Sequence, residues 1–64
     1  MDNLPLSERY VLSIKESAAY FNIGIKKMRR LAEENLGFFA VVSGNRYLIL
    51  RTKFEEFLQN NSAI

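Results

Sequence analysis

Lys26, Lys27, Arg29 and Arg30 fall within five consecutive residues. Cations at that spacing bind polyanions. A guanidinium grips phosphate or a guanine edge with two parallel hydrogen bonds, and an ammonium acts as a point charge. The chain offers little for covalent chemistry. It has neither His nor Cys, which excludes imidazole bases, thiolate nucleophiles and the usual zinc sites. Its seven acids are scattered through polar or capping positions, with no candidate buried pair for acid–base work. No Gly-rich loop leads into a Lys-Ser or Lys-Thr pair. The residues point to binding without catalysis, and no cofactor or metal is expected.

Charge placement says more than charge total. Nine bases against seven acids give only +2. Residues 24–51, however, hold six of those bases (Lys26, Lys27, Arg29, Arg30, Arg46 and Arg51) against Glu33 and Glu34, a net of +4. A basic middle on an otherwise balanced chain is the sequence form of an anion-binding face. At 64 residues, nearly half apolar, the chain is expected to be a single domain with a thin core. No apolar run approaches the ~20 residues of a membrane span. The first residues do not resemble a signal peptide, and the lack of Cys fits a reducing compartment. A cytoplasmic location is expected.

The elements that must position these cations follow from periodicity and punctuation. Residues 1–8, with Pro5, read as a loose arm, and residues 9–12 as a brief strand. Ser13-Ile14-Lys15-Glu16 fits a capping box, opening a helix with an apolar stripe of Ile14, Ala18 and Phe21. Gly24 is expected to supply the unusual backbone angle of a tight turn. A second helix over about 25–34 places Ile25, Met28, Leu31 and Ala32 on one side. Lys26 and Arg30 then point the opposite way, with Lys27 and Arg29 on the flanks. Two helices joined by a Gly-containing turn make a helix-turn-helix, and Gly37 ends the second. Residues 38–42 and 47–50 read as strands joined by a hairpin at Ser43-Gly44-Asn45. Thr52-Lys53-Phe54-Glu55 repeats the capping-box pattern and starts a third helix with Phe54, Phe57 and Leu58 as its stripe. Residues beyond 58 are expected to fray. Tyr10, Tyr20, Phe21, Phe54 and Phe57 are expected in the core. If Tyr47 and Ile49 face inward, Leu48 and Leu50 turn outward. The fold class is α+β, a small winged helix-turn-helix.

The charges of the second helix oppose its own dipole. Lys26 and Lys27 open it and Glu33 and Glu34 close it, the unfavourable arrangement at both ends. Lys26 and Arg30 are also like charges one turn apart. A solvated face laced by Arg29–Glu33 and Arg30–Glu34 pairs would offset part of that cost. Phosphates would supply the missing negative charge if the helix entered a major groove. The hairpin tip, Ser43, Gly44, Asn45 and Arg46, is suited to reach a neighbouring groove or phosphate. Arg51 and Lys53 are further candidate phosphate contacts.

The segment from Glu8 to Gly24, ERYVLSIKESAAYFNIG, resembles the start of excisionases from conjugative transposons of Gram-positive bacteria. Arg29-Arg30-Leu31-Ala32-Glu33-Glu34-Asn35, Gly44-Asn45-Arg46, Arg51 and Phe54-Glu55 continue the likeness in order. The resemblance implies a MerR-like winged helix and an architectural role. Such recombination directionality factors bind and bend DNA beside the element's ends and help a tyrosine-recombinase integrase excise it. By position, Lys26, Lys27, Arg29 and Arg30 fall on the recognition helix and Gly44, Asn45 and Arg46 on the wing. Leu48 and Leu50 depart from the polar alternation of the relatives, and mark a candidate contact with integrase or with neighbouring copies on DNA. Two other functions fit the residues: a small transcriptional regulator on the same fold, and an interaction module whose basic helix docks an acidic partner. An adjacent integrase gene would separate excisionase from regulator. Failure to bind duplex DNA would favour the interaction module.

Overall fold

Ser13 closes one strand and opens one helix. Its hydroxyl accepts from the Glu16 N–H (3.1 Å), and its own N–H donates to Glu16 Oε1 (2.9 Å), completing the expected capping box. The other Glu16 oxygen accepts from Arg9 Nη1 at 2.7 Å. The computed structural model describes residues 4–64. From this corner the chain runs through β1 (Val11–Ser13), α1 (Ile14–Phe21), α2 (Ile25–Glu34), β2 (Ala40–Ser43), β3 (Arg46–Leu50) and α3 (Arg51–Gln59). It is an α+β fold of three helices and a three-stranded antiparallel sheet, as a winged helix requires.

The sheet order is β1-β3-β2, so the second hairpin strand lies in the middle. Leu12, Ile49 and Ala40 form one rung across all three strands, and all three are fully buried. Against that face pack Ile14 and Ala18 of α1 and Met28, Leu31 and Ala32 of α2. An aromatic cluster closes the other end. Phe39 and Phe54 meet edge to face with centroids 4.7 Å apart, and Phe21 meets Phe54 at 4.6 Å. Such pairs add about 0.5–1.5 kcal/mol beyond the area they bury. Ser17, also fully buried, donates its hydroxyl to the Ile14 carbonyl at 2.9 Å.

Several local expectations are corrected. Asn22, not Gly24, takes the left-handed conformation (φ 58°), while Gly24 is extended (φ −60°) and caps α2. Asn visits that region more readily than most residues because its short polar side chain can hydrogen-bond locally. Residues 37–39 form a turn, so β2 begins only at Ala40, and Phe39 plugs the core from the turn. The capping box at Thr52 does not form. β3 runs directly into α3 with Leu50 as N-cap and no side-chain cap, and Glu55 pairs with Arg51 instead. Tyr10 (50% exposed) and Tyr20 (37%) lie at the surface rather than in the core. The arm is not wholly extended, since Leu6–Glu8 form a 3-10 turn and Leu6 packs against the core. The part of that arm at residues 1–3 lies outside the described residues. On the outer sheet face Leu48 and Leu50 are half-buried rather than open, and Val11 and Val41 beside them are the more exposed.

The corner at Ser13 should be visible in unfolding experiments. Ser13→Ala removes the cap and is expected to cost about 1 kcal/mol at neutral pH. The Ser13 N–H hydrogen bond, helped by the Arg9 charge and opposed by partial burial, holds the Glu16 carboxyl below its ordinary range. A depressed carboxylate stabilises the fold above its unfolded pKa, about 4.3, and that stability is lost as pH falls through the lower folded value. Glu16→Gln should therefore flatten the acid side of the stability profile, measured by urea unfolding between pH 6 and pH 2.

Candidate nucleic-acid interface

The α2 helix buries Met28, Leu31 and Ala32 and so fixes where its cations point. Lys26 and Arg30, one turn apart, project away from the sheet and are exposed. Arg29 shares a flank with Ile25 and looks toward the hairpin, while Lys27 lies on the other flank, half-buried. There Lys27 Nζ donates to the main-chain oxygen of Ile64 at 2.9 Å, so the C-terminal residues lie beside it. Neither Arg29–Glu33 nor Arg30–Glu34 forms. The ion pairs among the described residues are Arg9–Glu16 and Arg51–Glu55. Lys26, Arg29 and Arg30 thus stand on one helix without a carboxylate partner among those residues.

The hairpin brings a further cation alongside. Ser43 and Arg46 are register partners across a two-residue turn of Gly44 and Asn45. Gly44 has φ +65°, a conformation that needs no side chain in the way. All four residues of the tip are exposed. Between this tip, the start of α1 and the start of α2 lies an open groove of about 520 Å³. Its polar lining is Ser13, Lys15, Arg29, Asn45 and Arg46, and its apolar lining is Ile14, Ile25 and Tyr47. No acid lines it.

Two of these residues were missed by sequence reasoning. Lys15 stands in the first turn of α1, far in sequence from the basic stretch, and only the folding-back of the hairpin sets it beside Arg46. Ile25 was placed on the buried stripe by its period, yet it is 47% exposed. It is the first residue of α2 and faces the open groove instead of the core that holds Met28.

Arg51 is held inside the chain's own hydrogen bonds. Its N–H donates to the Tyr10 carbonyl (2.7 Å), its Nε to the Arg9 carbonyl (2.6 Å) and its Nη1 to Glu55 (2.9 Å). It also sits at the opposite end of β3 from the wing, about 17 Å away at strand rise. Lys53 is exposed on α3, with no partner among the described residues. The structure therefore brings Arg29, Asn45 and Arg46 together with Lys26 and Arg30 close by, turns Lys27 to the far flank, and separates Arg51 from the group.

The family model described as "Excisionase from transposon Tn916" matches residues 2–64. The chain belongs to the Tn916-type excisionase family. It is similar to the excisionase from transposon Tn916 of Streptococcus agalactiae serotype V, with 44% identity over 63 residues that cover 97% of the chain and 94% of the relative. An excisionase is a recombination directionality factor in transposon excision, an accessory protein and not an enzyme. Among the described residues no helix is long and apolar enough to cross a membrane, and no group of three His, Cys, Asp or Glu is placed to hold a metal.

The two kinds of arginine in this excisionase separate experimentally. Arg51→Ala strips the partly buried Arg9 carbonyl and Glu55 of a charged donor, while the main-chain bond to the Tyr10 carbonyl remains, and should cost about 1–3 kcal/mol of stability. Arg29→Ala and Arg30→Ala should stay within about 0.5 kcal/mol of the parent. Thermal or urea unfolding reads both.

Proposed function

We propose that the chain binds duplex DNA at the ends of its mobile element, bends it, and so promotes excision by a tyrosine-recombinase integrase. One observation supports this most: an excisionase whose second helix carries Lys26, Arg29 and Arg30 without a carboxylate partner among the described residues, next to a wing tipped by Arg46. In this reading α2 enters the major groove, Lys26, Arg29 and Arg30 meet base edges and phosphates, and Ser43, Gly44, Asn45 and Arg46 touch the neighbouring backbone. Lys27 serves a phosphate on the far flank once released from Ile64. Lys53 is a peripheral contact at most, and Arg51 is left to the fold. A cytoplasmic location goes with a DNA partner.

A domain this small covers a short stretch of groove, so its effect on recombination comes through DNA shape or a recruited protein. Bending 20–30 base pairs by 40–90° costs about 1–6 kcal/mol, which favours several copies side by side. The outer sheet face, with exposed Val11 and Val41 and half-buried Leu48 and Leu50, is then the surface left for a neighbouring copy or integrase.

About five phosphate contacts give an expected slope of log K against log salt near −4 to −5, and a salt-independent affinity would reject the electrostatic docking. Arg30→Ala is expected to lose about 1–3 kcal/mol of binding, the size of a good base contact, and Lys53→Ala distinctly less. The test of function is circularly permuted end fragments in a mobility assay, with excision by purified integrase. Position-dependent mobility and excision that needs this protein are expected. Mobility independent of site position, with excision unchanged when the protein is omitted, would leave the plain regulator.

A further inference from the structure

We propose that Ile25 reads the C5-methyl group of one thymine in the bound duplex, beside a backbone strand clasped between α2 and the wing. The inference rests on the duplex-binding reading and goes beyond it by assigning an apolar side chain to base recognition.

Ile25 is the first residue of α2 and is 47% exposed, although three other apolar residues of the same helix are buried. It lies in the groove of about 520 Å³, a volume in the range of ligand clefts. Around it the groove divides by chemistry. Lys15, Arg29 and Arg46 offer a phosphate cations from α1, α2 and the wing. Ile14 and Tyr47 join Ile25 as the apolar lining, against which a sugar or base carbon would pack. A sugar-phosphate strand likewise carries both charged and apolar groups, and no acid among the described lining residues opposes it.

The position of Ile25 decides what it meets. Residues at the N-terminus of a recognition helix face base edges. Isoleucine has no donor or acceptor, and thymine alone presents a methyl group in the major groove. The cations around it cannot make that distinction. Ile25 therefore supplies sequence preference at one A·T pair, while Lys15, Arg29 and Arg46 hold the backbone that sets its depth.

The experiment uses the whole chain and a synthetic duplex of its footprint on the element end, with each thymine replaced in turn by uracil. Wild type should lose roughly fourfold in affinity at one position, the transfer cost of a single buried methyl group. Ile25→Ala should bind the parent duplex correspondingly less well, be indifferent to uracil at that position, and keep the wild-type salt slope, since no charge is removed. Ile25→Val should retain the preference. Because Ile25 is exposed, thermal unfolding of each variant should match the parent, and a variant that unfolds would itself contradict the exposed site. Wild type that binds with the expected salt slope but senses no uracil, or that senses it equally with and without Ile25, overturns this inference alone. Wild type that does not bind the duplex overturns the duplex-binding reading as well.

Discussion

The rung Leu12–Ile49–Ala40 sets where every other part of the molecule sits. Its three residues are fully buried on one sheet face. A slip of one residue would turn Ile49 to solvent and bring Leu48 or Leu50 into the core. With the register fixed, Ser13 falls opposite Leu48 at the start of α1, and Ser43 falls opposite Arg46 at the wing. The wing tip is thereby carried past the end of β1 to the beginnings of α1 and α2. Position in the core and position of the cations are one constraint.

The second feature is electrostatic. The α2 helix opens on Lys26 and Lys27 and closes on Glu33 and Glu34, against its dipole, and Lys26 and Arg30 repel across one turn. The i,i+4 pairs that would relieve it are absent. Each effect is worth only a few tenths of a kcal/mol to about 1 kcal/mol, but a domain of this size has little stability to spare. What holds the helix is burial of Met28, Leu31 and Ala32. Arg9 and Arg51, by contrast, have carboxylate partners and hydrogen bonds to the chain. The protein satisfies its structural arginines and leaves those of the α2 face to an anion.

Local grammar made much of this legible. The Ser13 capping box, the stripe of α1, that of α2 apart from Ile25, the hairpin and the order of elements follow from interactions within a few residues, and they are found where the sequence places them. The misreadings share a cause in tertiary context. Thr52-x-x-Glu55 has the same pattern as Ser13-x-x-Glu16, but β3 feeds straight into α3, and Arg51, bonded to Arg9 and Tyr10 across the sheet, takes Glu55 away. Ile25 has the right period for the core, yet as the first residue of α2 it faces the open groove between helix and wing. Arg51 reads as one more cation in a basic stretch until its partners Arg9 and Tyr10, more than forty residues distant in sequence, are known. Lys15 gained its place in the groove only from the strand register.

The most direct test that α2 and the wing form one duplex-binding face is an amide chemical-shift titration of isotope-labelled protein with its element-end duplex. The largest shifts are expected at residues 25–30 and 43–46 and at Lys15, with the amides of residues 51–55 little changed. Shifts concentrated on α3 and the outer sheet face, with α2 and the wing unmoved, would contradict it.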